Sequence, residues 1–208
     1  MLEEIVVTAT KRAESLQDVP VAVSALRAED IAVRGLTQYA DYLSAVPGVN
    51  FQDAGPGQSQ IRIRGIVASE GGGGPASVAT YFGETVTSVI NLFGAKPNLR
   101  LVDIDRIEVL RGPQGTLFGA NALAGVVRIV PKPADLNNFE IKLGTRGFAT
   151  AHSDDASYHV EAAVNVPLID DKLAVRLVAY QDDIAGYIDN VVPASAAVDL
   201  YGDRKSVV

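Results

Sequence analysis

The stretch RGPQGTLFGANALAG, residues 111–125, is the part of the sequence that comes nearest to a phosphate-binding loop. Its glycines stand at positions 112, 115, 119 and 125. A P-loop ends in Gly-Lys followed by Ser or Thr, so that the lysine reaches the phosphates, and this stretch contains no lysine. A dinucleotide-binding loop needs the spacing G-x-G-x-x-G, which these glycines do not have. They therefore indicate turns and close backbone packing.

Histidines and aspartates are the other residues that could support catalysis or bind a metal. His152 and His159 are the two histidines of the chain, and their separation of seven residues places them on a loop and a strand, without a shared helical face. The run HSDD at 152–155 combines Ser, His and Asp, but adjacent residues do not make a catalytic triad. Paired aspartates are more typical of solvated turns than of calcium sites, here at 154–155, 170–171 and 182–183. We expect no enzymatic activity, no metal site and no cofactor.

The composition excludes further classes of protein. The chain has 25 acidic and 18 basic residues and a formal charge of −7, which argues against nucleic acid as a partner. No cysteine occurs, so disulfides and thiolate metal sites are excluded. No apolar run approaches the roughly 18 residues of a membrane-spanning helix, and the acidic start does not resemble a signal peptide. Any contact with a membrane must therefore come from strands.

The elements that would position functional side chains begin after a separate N-terminal stretch. EEIVVTATKR is rich in β-branched residues, but we see no partner strand adjacent in sequence. We predict a mobile tail that pairs in β fashion when it meets a partner; the alternative is an edge strand of the following domain.

Residues 19–130 have the pattern of a compact α+β unit. The predicted strands are VPVAVSAL, VNFQ, SQIRIRGI, DRIEVLRG and GVVRIV, and the predicted helices are RAEDIAVRG and TQYADYLSAVPG. Thr37 is the expected N-cap of the second helix. SVATYFGETVTSV predicts a hairpin with a type II′ turn at Gly83-Glu84, and Gly71–Gly74 predict a flexible loop.

Three segments after residue 138 alternate between apolar and polar residues. They are FEIKLGTRG, YHVEAAVNV and LAVRLVAYQ, each about as long as a strand that crosses a bilayer at a tilt. Soluble β-sandwiches show the same alternation, because one face of each sheet is buried. Periodicity alone leaves both interpretations open.

Several motifs resemble one family in the expected order. DIDRIEVLRGPQGTLFGANALAGVVRIVPKP resembles the most diagnostic segment of the plug domain of TonB-dependent outer-membrane receptors, and EEIVVTA resembles the TonB box. DVPVAVSALRAEDI, LSAVPGV and IRIRG are similar to further motifs of that domain. Two positions depart from the pattern: Gly83-Glu84 replaces the usual Asp-Gly turn, and Pro131 stands where Thr is common. We expect an altered turn type and an early end of the last plug strand.

The resemblance implies a fold and a division into domains. It implies an α+β plug domain, a small mixed β-sheet with short helices, followed by the first antiparallel strands of a transmembrane β-barrel. The expected boundaries are 1–15 for the TonB box and a flexible segment, 16–135 for the plug and 136–208 for the start of the barrel. Because a barrel of this family has about 22 strands, we expect the chain to be the N-terminal part of a longer receptor.

The resemblance also implies a function and a location. The receptor would lie in the bacterial outer membrane, in contact with its lipid, with the N-terminus in the periplasm. It would import a small, scarce ligand such as a ferric siderophore, using energy from the periplasmic coupling protein TonB. Two alternatives remain: a plug-fold module for signalling or ligand binding without transport, and a soluble secreted β-rich binding protein.

Three groups of site residues follow from the resemblance. The TonB box would be Glu4, Ile5, Val6, Val7, Thr8 and Ala9, which would add as a strand to TonB. Contacts between the plug and the barrel would come from four arginines, which are otherwise ordinary solvent-facing side chains: Arg62, Arg64, Arg106 and Arg111. The extracellular apex of the plug, where family members touch ligand, would include Gly72, Gly73 and Gly83, although a plain flexible loop also explains these glycines.

Overall fold

A computed structural model describes residues 6–8, 11–12, 14–34, 36, 39–52, 60–66, 77–87, 101–119, 121–149, 156–183 and 185. The chain divides into two compact units, Met1–Pro133 and Ala134–Val208. The described strands and helices of the first unit are, in chain order, β1 (Val6–Val7), β2 (Glu14–Ser15), β3 (Ala22–Arg27), α1 (Ala28–Arg34), α2 (Tyr39–Ser44), β4 (Val49–Gln52), β5 (Gln60–Ile63), β6 (Val78–Phe82), β7 (Thr85–Val86), β8 (Ile104–Arg111), α3 (Gly115–Phe118) and β9 (Gly125–Pro131).

A five-stranded mixed sheet forms the centre of the first unit. Its strand order is β3-β8-β9-β6-β7. β6 pairs with β9 in parallel, whereas the other neighbours are antiparallel. The α+β fold with a small mixed sheet, expected from the sequence, is therefore confirmed. An early end of the last plug strand was expected at Pro131. Instead, β9 continues through Pro131, which pairs with Ile104.

The two faces of this sheet pack against different elements, because side chains alternate along each strand. On one face, Ile107 and Val109 of β8 and Val127 and Ile129 of β9 are buried in a core shared with α1, α2, β4 and β5. On the other face, Leu110 and Val126 pack with Phe118 of α3 and with Val7. The sheet is thus covered on both sides, and its central strands are the best-buried part of the unit.

Both predicted helices of the first unit form and each buries one side. Glu29 and Asp30 in the first turn of α1 and Arg34 in its last turn complement the helix dipole. In α2, Tyr42 and Leu43 are fully buried, and burial of a side chain of this size stabilises the fold by about 1.5–3 kcal/mol. The expected N-cap, Thr37, lies outside the described residues.

The glycine-rich stretch contains a short helix, α3, where the sequence predicts only a turn region. Gly112 has a φ of +118°, a conformation that residues with a side chain rarely adopt. A Cβ at Gly125 would lie 2.3 Å from the carbonyl oxygen of Leu110 and 2.7 Å from Cδ1 of Ile63. These glycines serve a tight turn and a close approach of strands, as expected.

The β6–β7 hairpin has the predicted turn. Gly83 has a φ of +58°, and Glu84 is not among the residues with positive φ, which fits a type II′ turn. The N–H of Gly83 donates to the carbonyl of Ile129 at 2.8 Å, so the hairpin tip is also bound to β9. β7 has two residues and forms an edge of the sheet.

The second unit contains a three-stranded antiparallel sheet of β10 (Glu140–Ala149), β11 (Ala156–Ile169) and β12 (Leu173–Asp183). The register places apolar residues of the three strands on one face, including Leu143, Val160 and Leu177, which are exposed. The other face carries polar side chains such as Asn165, which is fully buried and binds the backbone of Asp135. No helix among the described residues has the length and the apolar character needed to cross a membrane.

Candidate functional site

The N-terminal segment, Val6–Thr8, is docked on the first unit. β1 pairs with β2 in antiparallel fashion, with Val6 opposite Ser15 and Val7 opposite Glu14. Val7 is fully buried in the core that also contains Phe118, whereas the side chain of Val6 is 46% exposed. The prediction of a mobile tail without a nearby partner strand is wrong for these three residues. The alternative, a strand of the following domain, describes them in this structure.

Thr8 is bound through its backbone as well as its side chain. Its N–H donates to Oε1 of Glu108 at 2.8 Å, and its hydroxyl donates to the same oxygen at 3.2 Å. Its carbonyl accepts a hydrogen bond from Nη1 of Arg128 at 2.9 Å. Nη2 of Arg106 donates to the hydroxyl oxygen at 3.0 Å. The N–H and the carbonyl of residue 8 are present whatever its side chain is. The contacts with Glu108 and Arg128 therefore fix the backbone of the segment at this position.

The acceptor and donors for Thr8 come from the two central strands. Glu108 of β8 and Arg128 of β9 are directly opposite in the register, and both are buried. Glu108 Oε2 lies 3.6 Å from Nη1 of Arg128, and Nε of Arg106 donates to Oε1 at 2.8 Å. A buried charge is tolerated when it is paired and hydrogen-bonded. Oε1 of Glu108 meets that condition and also accepts hydrogen bonds from Thr8, whereas Oε2 is buried with the Arg128 ion pair at 3.6 Å and no hydrogen bond among the described residues.

The tip of the β6–β7 hairpin completes the network. Nη2 of Arg128 binds the carboxylate of Glu84, and Nε donates to the carbonyl of Gly83 at 3.1 Å. Lys11 Nζ lies 2.5 Å from Oε2 of Glu84 and 4.9 Å from the ring centre of Phe118, a cation–π distance. We call Lys11, Glu84, Arg106, Glu108 and Arg128 the charge cluster.

Glu84 is the acid of the charge cluster that solvent reaches. Its side chain is 66% exposed, whereas that of Glu108 has no exposed area. The hydrogen bond from Lys11 lowers the pKa of the Glu84 carboxyl; partial desolvation opposes this effect, and the positive charges of Arg128 and Lys11 reinforce it. Glu84 is therefore ionised at neutral pH, with two cations against its carboxylate.

The position of Gly83 conflicts with its predicted place at the extracellular apex. Arg128 binds Gly83 through Nε and Thr8 through Nη1, so the hairpin tip and the N-terminal segment lie at the same end of the first unit. A Cβ at Gly83 would also meet Pro131, beside the point where the chain leaves the first unit. A periplasmic N-terminal segment and an extracellular Gly83 cannot both be correct. The cause is the parallel pairing of β6 with β9, which the sequence does not reveal.

The structure places the four predicted contact arginines in different surroundings. Arg106 belongs to the charge cluster and also pairs with Asp105. Nη1 of Arg111 donates to the carbonyl of Pro47 at 3.2 Å. Arg64 is exposed in a turn with a φ of +53°. The Nε atoms of Arg62 and Arg111 are buried and have no hydrogen-bond acceptor among the described residues. Contact of these arginines with a barrel stays a prediction.

Several predicted residues lie outside the described part of the chain. These are Glu4, Ile5 and Ala9 of the expected TonB box, and Gly72 and Gly73 of the expected apex. Within the described residues no group of three or more His, Cys, Asp or Glu side chains could hold a metal ion. His159 of β11 contacts Asp182 of the neighbouring strand β12 and lies 3.4 Å from Glu161 of its own strand.

Four members of the charge cluster were not predicted from the sequence: Lys11, Glu84, Glu108 and Arg128. A signal was present in DRIEVLRG and GVVRIV, where one charged residue falls on the same strand face as an apolar residue two positions away. The segment that covers this face is distant in sequence, so the pattern alone does not identify the partners of these charges. Glu108 is 100 residues from Thr8, and Arg128 is 120 residues from it.

Comparison with known proteins identifies the fold. The family model of the TonB-dependent receptor plug domain matches residues 15–126. The chain belongs to this family. The match begins at β2 and ends in β9, so that the N-terminal segment and the second unit lie on either side of the matched residues.

Two curated relatives of the plug-domain chain are receptors or outer-membrane proteins. The pesticin receptor of Yersinia pestis is 29% identical over 208 residues, covering 98% of this chain and 28% of the relative. The iron-regulated outer membrane virulence protein of Vibrio cholerae serotype O1 is 32% identical over 141 residues, covering 62% of this chain and 20% of the relative. The chain thus spans less than a third of the length of the curated relatives it matches.

Two solved structures share the fold. The ferric yersiniabactin uptake receptor FyuA of Yersinia pestis has a TM-score of 0.61 at 24% identity, over 78% of this chain and 24% of that one. The ferripyoverdine receptor of the outer membrane of Pseudomonas aeruginosa has a TM-score of 0.71 at 18% identity, over 88% of this chain and 23% of that one. At these identities the likeness concerns the fold of the plug domain and the strands that follow it.

Proposed function

We propose that the chain is the plug domain and the first barrel strands of an outer-membrane receptor that imports a scarce ligand by a TonB-dependent mechanism. The observation that carries this proposal is the succession of elements: a plug domain is followed directly by an antiparallel three-stranded sheet with one apolar, exposed face. The function requires binding and gating, and no chemical step on the ligand. The family is one of receptors rather than a class of enzymes.

The second unit would form part of the lipid-facing wall. β10, β11 and β12 have 10, 14 and 11 residues, enough to cross the hydrocarbon layer at a tilt, which takes about 9–11 residues. Leu143, Val160 and Leu177 would face lipid, and the polar face with Asn165 would line the interior, as in outer-membrane barrels. The chain would then lie in the bacterial outer membrane.

The N-terminal segment would bind TonB. Val6 and Val7 already have an extended backbone, and their pairing with β2 involves two residues only. Strand addition to TonB would replace this short pairing by a longer one that includes Glu4, Ile5 and Ala9, and its affinity would come from backbone hydrogen bonds. Since each such bond contributes about 1 kcal/mol net, the pairing would be transient.

Arginines of the plug would hold it inside the barrel. The buried Nε atoms of Arg62 and Arg111, which lack an acceptor among the described residues, support this part of the proposal, because buried donors in proteins are nearly always paired. Carboxylates of a barrel wall would satisfy them, together with Arg64 at its exposed turn. Arg106 would act from within the charge cluster, where its partners already lie.

The ligand would be a small iron chelate such as a ferric siderophore. This follows from the names of two similar proteins, an iron-regulated outer membrane virulence protein and a ferric yersiniabactin uptake receptor. Gly72 and Gly73 remain the proposed ligand-facing residues of the plug. Gly83 is no longer proposed for that role, because it lies beside the N-terminal segment.

Uptake by iron-starved cells tests the proposal. Cells that express the receptor carrying this chain would be given a panel of radiolabelled ferric siderophores, with a strain lacking TonB in parallel. Val6→Pro removes a backbone donor from the N-terminal segment at an exposed side chain, and should abolish uptake while cell-surface binding at low temperature persists. Val6→Thr, which keeps a β-branched residue, is the matched control and should transport normally.

This uptake experiment and a folding test of the second unit separate the alternatives. Surface binding without TonB-dependent uptake of any chelate would overturn transport and support a signalling or binding module. A second unit that folds in water without detergent would support the soluble β-rich protein instead.

A further inference from the structure

Arg128 connects the β6–β7 hairpin tip to the N-terminal segment through one rigid group. Its Nε donates to the carbonyl of Gly83 at 3.1 Å, and its Nη2 binds the carboxylate of Glu84. The remaining nitrogen, Nη1, donates to the carbonyl of Thr8 at 2.9 Å. A guanidinium is planar, so that binding two of its nitrogens fixes the direction of the third. The hairpin tip therefore aims Arg128 at Thr8.

Lys11 forms a second connection between the same two parts. Its Nζ lies 2.5 Å from Oε2 of Glu84, and its backbone N–H donates to the carbonyl of Thr8 at 3.0 Å. Glu84 thus uses one carboxylate oxygen for Lys11 and the other for Arg128. Both partners touch Thr8, so one side chain of the hairpin controls two contacts of the N-terminal segment.

Glu84 differs from Glu108 in how firmly it is held. Glu108 lies on a central strand with no exposed area, whereas Glu84 is exposed and precedes β7, a two-residue edge strand. A displacement of the tip would move Glu84 and leave Glu108 in place. Glu84 is consequently the member of the charge cluster through which a movement of the hairpin reaches Thr8.

We propose that Glu84 is a positioning residue that keeps the N-terminal segment docked by orienting Arg128 and pairing with Lys11, and that the β6–β7 hairpin thereby regulates how readily the segment binds TonB. This inference rests on the proposed function in its choice of partner. It adds a residue and an element, the hairpin tip, that set the docked fraction of the segment. Since only the undocked segment is free to pair, a larger undocked fraction raises the apparent affinity for TonB in proportion.

The test uses the receptor that carries this chain, without added ligand. The chain has no cysteine, so Val6→Cys introduces a single site, at an exposed side chain, for a spin label. Label mobility and affinity for the purified periplasmic part of TonB are then measured with Glu84 intact and in Glu84→Gln. We expect greater mobility and an affinity increased about two- to fivefold, the range for loss of exposed ion pairs. Glu84→Asp keeps the charge and should restore much of the docking.

Asp30→Asn is the matched control. It removes an exposed carboxylate that pairs with Arg27 at 3.7 Å, with the same change in net charge, on the helix that covers the opposite face of the sheet. It should change neither mobility nor affinity. General damage to the fold is not expected to increase the affinity for TonB. An increase in affinity would therefore indicate a specific effect of Glu84 on docking.

The outcomes distinguish the inference from the proposed function. Unchanged mobility and affinity in Glu84→Gln, or an equal effect of Asp30→Asn, would overturn the positioning role of Glu84. If TonB bound neither the parent nor any variant while mobility still rose in Glu84→Gln, the proposed partner would be wrong and the positioning role would stand.

Discussion

Removal of the Glu108 carboxylate should destabilise the first unit strongly. Glu108→Leu leaves Arg106 and Arg128 without their shared buried partner and leaves the N–H of Thr8 without its acceptor. Breaking a buried ion pair from one side costs about 3–5 kcal/mol. We expect the lower end, about 3 kcal/mol, because Arg106 keeps Asp105 and Arg128 keeps Glu84, whose side chains are partly exposed. This is a large part of the 5–15 kcal/mol typical of a domain.

Equilibrium unfolding of the first unit, Met1–Pro133, in urea measures this cost. Far-ultraviolet circular dichroism follows its sheet, and tyrosine fluorescence is a second probe because this unit has three tyrosines and no tryptophan. Glu108→Gln keeps the shape and an acceptor for Thr8, so its cost should be smaller, about 1.5–3 kcal/mol, the contribution of a hydrogen bond to a charged group. The denaturant dependence should stay constant in both variants if the fold is retained.

A double variant checks the assignment to charge rather than to packing. In Glu108→Leu with Arg128→Met, the opposed buried charges are removed together, and the cost should be clearly smaller than the sum of the two single costs. A loss below about 1 kcal/mol for Glu108→Leu, or simple additivity in the double variant, would refute the view that this network is a mutually dependent buried ion pair.

Three further predictions concern other parts of the chain. Gly125→Ala should lower the free energy of unfolding by more than about 2 kcal/mol, because its Cβ would lie 2.3 Å from the Leu110 carbonyl oxygen. Gly115→Ala, whose Cβ would have nothing within 4 Å, should leave the free energy of unfolding nearly unchanged. Equal urea midpoints for the two variants would contradict this prediction. Because the hydrogen bond from Lys11 lowers the pKa of Glu84, the contact between these residues should stabilise the docked segment fully above the ordinary pKa of a glutamate and be lost as the pH falls through the lowered pKa. A spin label at Val6 should become more mobile over that pH range, but it should show no such change in Glu84→Gln. Leu177→Arg should destabilise the folded receptor in membranes by about 2–4 kcal/mol if residue 177 lies near the bilayer centre. Lys142→Arg, on the other face of the sheet, should leave the stability of the receptor unchanged.

The strands and helices were largely predictable because they depend on local patterns. Alternation in DRIEVLRG and GVVRIV predicted the two central strands, and helical spacing of Tyr42 and Leu43 predicted the buried side of α2. Gly83-Glu84 predicted the correct turn type, since that choice depends on which of two adjacent residues has positive φ. In each case the determining interactions lie within a few residues of each other.

The features that the sequence did not reveal depend on contacts between distant segments. β2 contains only Glu14 and Ser15, neither a strong strand former, and it pairs with β1 because Val7 is buried under the sheet. The end of the sheet at which Gly83 lies depends on parallel pairing of β6 with β9. Family motifs gave the fold, but they did not give the partners of the charged side chains.

The docked N-terminal segment and the proposed TonB-bound segment exclude each other at Thr8. In the docked state the Thr8 N–H binds Glu108 and its carbonyl binds Arg128, whereas strand addition requires backbone groups of the same segment for TonB. Undocking also exposes Val7, at a cost of about 1.5–3 kcal/mol for a side chain of this kind. Strand pairing with TonB would have to offset both the lost hydrogen bonds of Thr8 and the exposure of Val7. If the N-terminal segment binds TonB as proposed, any event that loosens the charge cluster should therefore strengthen this binding without a new contact to TonB.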